Sequence, residues 1–188
     1  MSRLLHALLL LLAFTGATPA LAQSGIFQDA GKRVALVIGA SDYRHVPALA
    51  NPSNDARIIA DALAALRFDV IRVDSPSRSE LLEARQAFLD RLDGSDIAFF
   101  YYAGHAIQIG NVNYLIPVDA ELGTRDDVAA NFIDLSGIVN EMDARAKTKI
   151  VVLDACRDNP FEAELAEALA GQPDAPAVKR GLAVIKRA

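Results

Sequence analysis

The stretch IAFFYYAGH at residues 97–105 decides the fold of this chain. An apolar and aromatic run that ends in Gly104 and His105 is typical of a strand buried on both faces of a parallel sheet. A second such run, IVVLDA at residues 150–155, ends at Cys156. If the two runs are neighbouring parallel strands, their carboxyl ends bring a thiol and an imidazole into the crevice where open α/β sheets bind ligands. That is the layout of a cysteine nucleophile and its base.

Strand and helix patterns alternate along the chain, which predicts a parallel sheet with right-handed crossover connections. The predicted strands are residues 34–38, 68–73, 97–105 and 150–153, and the predicted helices are residues 52–67, 78–92 and 132–142. A Ser-x-x-Glu capping box at Ser77 and Glu80 marks the start of the second helix. The fold class that follows is α/β, a three-layer α/β/α sandwich with a mostly parallel sheet.

Two segments interrupt this alternation. Residues 107–125 are rich in Gly, Asn, Pro and Asp, which predicts a surface loop or a small hairpin near the site. Towards the end, a helical pattern covers residues 162–170, a Pro-containing linker covers residues 172–176, and residues 182–185 form an apolar piece like a strand cut short. We therefore expect the domain to be truncated at its carboxyl end.

The first residues have the pattern of a secretory signal peptide. Arg3 supplies a positive charge, residues 4–14 are almost wholly apolar, and residues 20–22 form an A-x-A cleavage site. Cleavage after Ala22 predicts an exported protein, periplasmic or secreted, without a stable membrane anchor once the signal is removed. An uncleaved anchor is the alternative, although the apolar stretch is shorter than the roughly 20 residues that a spanning helix needs.

Composition excludes several classes of function. With 188 residues, of which 52% are hydrophobic, the chain is large enough for one domain with a buried core. A net charge of -5 and the lack of a basic stripe with interleaved aromatic residues predict no nucleic-acid partner. A single cysteine cannot form an internal disulfide in the oxidising compartment to which export leads. A lone thiol there is expected to be buried or used.

Each candidate site residue has a structural explanation as well as a catalytic one. A free cysteine such as Cys156 is most often a buried small hydrophobe, and His105 fits a hydrogen-bonded histidine at a strand end. Cys156 is, however, followed by the polar turn RDNP at residues 157–160, and two such residues at the same sheet edge favour a dyad. His45 is the other histidine beyond the leader, and we expect it at the surface.

The segments YYAGH at residues 101–105 and DACR at residues 154–157 resemble the histidine and cysteine blocks of the caspase-like cysteine peptidases. This family includes caspases, metacaspases and paracaspases. Three further segments are similar to its bacterial members, namely residues 34–39, 54–56 and 113–119. The ordered set of blocks is far more specific than either block alone. It implies the caspase-like form of the three-layer sandwich.

With this resemblance, the chain divides into four parts. They are a signal peptide at residues 1–22, a short linker at 23–31, a caspase-like catalytic domain at 32–160, and a C-terminal helix and linker with the start of a further strand at 161–188. The family fold continues with more strands beyond this point. The resemblance therefore implies that a missing segment or an additional chain completes the substrate pocket.

The resemblance also implies the roles of the site residues. Cys156 is the nucleophile that attacks a peptide carbonyl, and His105 is the general base and acid. The backbone N–H groups of Cys156 and Ala106 form the oxyanion hole, although the family pattern has a glycine where Ala106 stands. Asp154 matches an acidic pocket position of metacaspases, which predicts cleavage after Arg or Lys. A cap for the turn at the strand end is the other interpretation of Asp154.

The implied function is that of a cysteine-type endopeptidase that acts on protein or peptide substrates with no cofactor and no required metal. Some metacaspases bind calcium, but the acidic residues here do not have the spacing of an EF-hand. The alternative is a catalytically inactive caspase-like module that binds protein partners, a hypothesis motivated by Ala106 and the missing downstream strands. A flavodoxin-like or Rossmann-like binder fits less well, because residues 34–43 contain no G-x-G-x-x-G motif.

Overall fold

Strands and helices alternate along the part of the chain that the structure, a computed structural model, describes: residues 31–122, 124, 126–156, 160–169, 178–179 and 182. In chain order the elements are β1 (Arg33–Gly39), α1 (Pro52–Ala65), β2 (Asp69–Asp74), α2 (Arg78–Leu92), β3 (Ser95–Ile109), β4 (Val112–Leu115), α3 (Asp126–Asn131), β5 (Ile133–Asp134), α4 (Leu135–Arg145), β6 (Ala146–Cys156), α5 (Glu162–Leu169) and β7 (Val178–Lys179). The predicted signal peptide, the linker up to residue 30, the turn at residues 157–159 and the predicted last strand beyond Leu182 lie outside the described residues.

A parallel sheet in the order β2-β1-β3-β6 forms the centre of the structure. Beyond this part, β3 continues into an antiparallel arrangement with β4 and β7, and β4 pairs in turn with β5. The predicted mostly parallel sheet is thus confirmed. Because β3 belongs to both arrangements, its residues near His105 lie where the parallel and antiparallel parts meet.

The side chains of β1 and β3 alternate between two apolar cores, one on each face of the sheet. On one face, Leu36 and Phe100 pack in a core to which α2 and α4 contribute. On the opposite face, Val37 and Tyr101 pack against α1. Each fully buried large side chain, such as that of Phe100, contributes roughly 1.5–3 kcal/mol of transfer free energy. Helices on both faces confirm the predicted three-layer sandwich.

The segment after His105 is a buried hairpin. β3 runs on to Ile109, which pairs with Val112 across a tight turn in which Gly110 has a φ of +63°. Leu115 in the returning strand is fully buried. Of the two predicted alternatives the small hairpin is therefore correct, while the expected surface position is wrong. The apolar residues that follow the turn lie against the core. In the sequence, the turn-forming residues on either side hide this burial.

The helix before β6 begins at Leu135 rather than at Phe132, where its periodicity starts. The carboxylate of Asp134 accepts a hydrogen bond of 2.7 Å from the N–H of Ser136, which caps the first turn at that point. Phe132 and Ile133 are buried ahead of the cap, and Ile133 belongs to the short strand β5. Phe132 and Ile133 face the core although they precede the helix, and their apolar character moved the predicted start of the helix to Phe132.

Both hydrogen bonds of the predicted capping box are present at the start of α2. The Ser77 side chain accepts from the N–H of Glu80 at 3.4 Å, and the Glu80 carboxylate accepts from the N–H of Ser77 at 2.8 Å. The N–H of Arg78, in the first turn of α2, has no acceptor within the helix and donates to Asp119 at 2.8 Å. Asp119 is therefore a turn residue that helps to cap this helix, as its sequence context indicates.

No described helix is both long enough and apolar enough to cross a membrane.

We predict that Ser77→Ala lowers the free energy of unfolding by about 1 kcal/mol, because the substitution removes the side-chain acceptor of the box. Ser79→Ala is the matched control, since it removes the same hydroxyl two residues further along and leaves both hydrogen bonds of the box. Chemical unfolding followed by circular dichroism measures both. Equal losses in the two variants would contradict a specific contribution from the cap.

Candidate active site

The candidate nucleophile and base occupy paired positions on adjacent strands. His105 of β3 and Cys156 of β6 are register partners in the parallel ladder, and Ala103 pairs with Asp154 two positions earlier. Neighbouring strands are separated by about 4.8 Å, so the two backbones lie side by side at the carboxyl end of the sheet. The expectation that the two apolar runs form neighbouring parallel strands is therefore confirmed.

The imidazole of His105 is held through one of its two nitrogens, Nε2. Its Nε2 lies 3.1 Å from the carbonyl oxygen of Pro47, in the loop between β1 and α1. A carbonyl oxygen only accepts hydrogen bonds, so Nε2 carries the proton and Nδ1 is the basic nitrogen of the neutral ring. Nδ1 is buried and has no hydrogen-bond partner among the described residues. The sequence patterns do not indicate this contact between Pro47 and His105.

Burial keeps this imidazole neutral. His105 is 6% exposed. Burial lowers the pKa of His105 below its usual value, and the hydrogen bond to Pro47 opposes that effect only in part. The neutral, proton-accepting form therefore predominates at neutral pH.

An acidic environment surrounds the hydroxyl of Tyr101 on the α1 face of the sheet. This hydroxyl donates to the carboxylate of Asp154 at 3.3 Å. Burial, together with the negative charges of Asp154 and Asp55, raises the pKa of Tyr101 to about 12. Asp55 lies in the first turn of α1. Asp154 is a candidate pocket residue in the sequence analysis, whereas Asp55 belongs to the predicted helix at residues 52–67. An acidic residue in the first turn of a helix is usually explained by its interaction with the helix dipole.

The backbone around Ala106 has an ordinary strand conformation. The described non-glycine residues with positive φ are Arg67 and Ser75, so Ala106 does not adopt the left-handed region. Ala106 pairs with Leu115, while the N–H of Ile116 donates to the carbonyl of His105 at 3.2 Å. Ala106 and Leu115 are therefore a non-hydrogen-bonded pair, and the N–H of Ala106 points away from β4, towards the side of β3 on which β6 lies.

His45, the other histidine beyond the leader, has a structural partner. His45 is half-exposed, as expected, and its Nε2 lies 2.9 Å from the carboxylate of Glu121. Asp158 lies outside the described residues. Within the described part of the chain, no three His, Cys, Asp or Glu side chains are grouped so that they could hold a metal ion.

Gly104 allows two tyrosine hydroxyls to approach the main chain immediately before His105. A Cβ atom at this position would lie 2.7 Å from the hydroxyl oxygen of Tyr43, 2.9 Å from that of Tyr102 and 3.0 Å from the Cβ of Ala40. The φ of Gly104 is +153°, which side-chain-bearing residues rarely adopt. Tyr102 packs on the face of the sheet opposite to Tyr101, because consecutive side chains of a strand alternate between its faces.

The structure thus combines an α/β sandwich with a histidine and a cysteine that are register partners at the carboxyl edge of its parallel sheet. Residues 32–182 match the family model of the caspase domain of the C14 peptidases. The chain therefore belongs to the caspase family.

Two curated relatives are similar to this chain in sequence, and one solved structure is similar to it in fold. Over 126 residues the chain is 30% identical to mucosa-associated lymphoid tissue lymphoma translocation protein 1 of Homo sapiens, and equally to its homolog of Mus musculus. The match covers 66% of this chain, which spans only 15% of the length of each relative. A structural-genomics protein from Geobacter sulfurreducens has a similar fold, with a TM-score of 0.54 and 17% identity over 68% of this chain and 52% of that protein.

We predict that Gly104→Ala destabilises the protein by about 1–3 kcal/mol, because the new methyl group meets both hydroxyls in a packed region. Gly137→Ala in α4 is the matched control: its Cβ would have its nearest contact at 3.7 Å, an ordinary van der Waals distance, with the end of the Arg85 side chain. Alanine in a helix interior stabilises relative to glycine by roughly 0.5–1 kcal/mol. Thermal unfolding measures both, and a neutral Gly104→Ala would show that the main chain here can move.

Proposed function

We propose that this protein is a cysteine endopeptidase that cleaves peptide bonds after Arg or Lys, with Cys156 as nucleophile and His105 as general base and acid. The observation that carries the proposal is the state of the His105 ring beside its register partner Cys156. Nε2 is engaged by the carbonyl of Pro47, and the basic Nδ1 is buried without a partner among the described residues. A buried, unpaired nitrogen costs free energy, and the proton of a reacting thiol would satisfy it.

The proposed reaction uses Nδ1 in both directions. Nδ1 of His105 takes the proton of the Cys156 thiol, and the thiolate attacks the carbonyl carbon, so that a C–S bond forms and the carbonyl electron pair moves to oxygen. When the C–N bond breaks, the imidazolium gives its proton to the amine leaving group. Water then attacks the thioester as Nδ1 accepts its proton, so that a C–O bond forms. The C–S bond breaks, and the thiolate leaves and takes that proton back from the imidazolium. The lowered pKa of His105 favours its base form before each attack.

The N–H of Ala106 supports this mechanism by its direction. It points away from β4 and towards β6, where the register pair His105–Cys156 directs it at the carbonyl of Cys156 and directs the N–H of Cys156 at the carbonyl of Gly104. The two N–H groups would become the donors of an oxyanion hole when the end of this ladder opens to admit a substrate. This N–H is oriented by the non-hydrogen-bonded pairing with Leu115, which requires no positive φ. An alanine is therefore compatible with the role that a glycine has in the family pattern.

The acidic pair Asp154 and Asp55 supports a preference for basic residues. Both carboxylates act on the hydroxyl of Tyr101, so they lie on the same face of the sheet near its carboxyl end. Asp154 lies two residues before Cys156, and a carboxylate at that distance would pair with the guanidinium or ammonium group of a substrate residue next to the scissile bond. A pocket with two carboxylates would exclude acidic side chains by like-charge repulsion.

A catalytically inactive caspase-like module is the second candidate. One observation favours it: His105 and Ala106 are only 6% and 5% exposed, so little of the proposed base and donor reaches solvent. Such a module would bind protein partners without cleaving them. Membership of the caspase family is compatible with both candidates, and the reactivity of the Cys156 thiol distinguishes them.

We predict that the full chain cleaves fluorogenic peptides with Arg or Lys before the scissile bond, and that Cys156→Ala and His105→Ala each lower kcat/KM by at least about a thousandfold. His45→Ala is the matched control, since it removes a histidine that is paired with Glu121 outside the proposed machinery. Cleavage that survives Cys156→Ala would overturn the proposal. No cleavage by a folded sample, with slow alkylation of Cys156 by iodoacetamide, would favour the inactive module.

We predict that Asp154→Asn lowers kcat/KM for Arg and Lys peptides by about 10- to 100-fold, since a charge-assisted hydrogen bond to the substrate is lost. A peptide with citrulline in place of Arg should lose much less, because it carries no charge. Asp90→Asn in α2 is the control: it removes one exposed charge on the opposite face of the sheet. Equal effects of the two substitutions would exclude Asp154 from the pocket.

A further inference from the structure

A gap in the hydrogen bonding of β3 lies directly at His105. On one side of β3, β1 reaches as far as Ala103, whose carbonyl accepts from the N–H of Ala40 at 2.8 Å. On the same side, β4 takes over with the N–H of Ile116, which donates to the carbonyl of His105 at 3.2 Å. The N–H of His105 falls between these two neighbours, and neither β1 nor β4 reaches it. A buried N–H without a partner would be costly, so this position needs another acceptor.

The hydroxyl of Tyr43 fills this gap. It accepts from the N–H of His105 at 2.7 Å. It also hydrogen-bonds at 3.3 Å to the hydroxyl of Tyr102, which in turn donates to the carbonyl of His105 at 2.7 Å. Both tyrosines are buried, with exposures of 8% and 0%. The two hydroxyls therefore bind both polar groups of the His105 main chain in an environment from which water is excluded.

The ring of Tyr43 contacts the imidazole itself. The two ring centroids are 4.6 Å apart, with an angle of 55° between the planes. Pro47, whose carbonyl engages Nε2, lies in the same loop between β1 and α1. One loop thus determines the position of the main chain through the Tyr43 hydroxyl, the orientation of the ring through the Tyr43 aromatic face, and the tautomer through Pro47.

We propose that Tyr43 is a positioning residue for His105: its hydroxyl anchors the His105 main chain, and its ring holds the imidazole with Nδ1 directed at the reacting thiol. The proposal rests on the proposed function of His105 as general base. The two parts of the Tyr43 side chain have separable effects. Loss of the hydroxyl releases the His105 N–H, and loss of the ring in addition releases the imidazole.

Kinetics test the catalytic part. Tyr43→Phe in the full chain is expected to lower kcat on an Arg peptide about tenfold, with KM changed less than about twofold, because one buried hydrogen bond at the base is lost. Tyr43→Leu, which also lacks the ring, is expected to lower kcat by a further tenfold or so. Titration with an irreversible peptide inhibitor counts the competent active sites, so that kcat can be given per competent site. Tyr114→Phe, which removes a hydroxyl from a partly buried tyrosine of β4, is expected to match the wild type.

A purely structural role for Tyr43 would give a different result. It would reduce the number of titratable sites or the thermal stability, with kcat per site unchanged. A Tyr43→Phe enzyme with wild-type kcat per site overturns the proposal, and so does an effect confined to KM. If wild-type protein cleaves no peptide, the proposed function fails, and two measurements that need no activity decide the placement of His105.

The first of these measurements is hydrogen exchange at the amide of His105. Exchange is expected to become about tenfold faster or more in Tyr43→Phe, since the acceptor of the His105 N–H is gone, and an unchanged rate overturns the proposal.

The second measurement is the nitrogen-15 spectrum of the histidine rings, assigned with His105→Gln. The Nε2-protonated tautomer is expected in wild type and in Tyr43→Phe, and a tautomer mixture in Tyr43→Leu. A single tautomer in Tyr43→Leu would show that the Tyr43 ring does not hold the imidazole.

Discussion

The backbone hydrogen bonds of β3 are the interaction on which both the fold and the candidate site depend. The strand pairs in parallel with β1 and β6 along most of its length and then in antiparallel with β4. His105 lies at the transition: β1 no longer reaches its N–H, whereas the N–H of Ile116, just after β4, donates to its carbonyl. The pairing of His105 with Cys156 is therefore a property of the whole ladder, which begins at Ser95 and Ala146, and does not depend on contacts between the two residues alone.

Much of this architecture is predictable because it follows from local chemistry. Fully apolar runs such as that around Phe100 have few alternatives to a strand covered on both faces. Ser77 and Glu80 form their capping hydrogen bonds within one turn of helix, so four residues of sequence are enough to identify the start of α2. The meeting of His105 and Cys156 required one further rule, that the carboxyl ends of parallel strands share an edge.

The parts that were not predictable involve groups without a sequence signature. The Pro47 carbonyl is a main-chain group, and any residue would supply it, so only the path of the loop shows that it meets His105. Tyr43 follows β1 in a segment without periodicity, and its contact with His105 bridges a large separation in sequence. Asp55 has a sufficient local explanation in the first turn of α1, which hides its proximity to Tyr101. Each of these is a tertiary relation between segments that are distant along the chain.

The shared ladder of β3 and β6 restricts how a chain of this kind can change in length. Side chains alternate between the two faces of a strand, so one residue inserted into β3 before His105 would send the imidazole to the opposite face and shift it past Cys156. The same holds for β6 before Cys156. Insertions and deletions are therefore confined to connections outside this ladder, such as the tip of the hairpin at Gly110. Relatives of this protein should differ greatly in their loops while keeping these two strands in step.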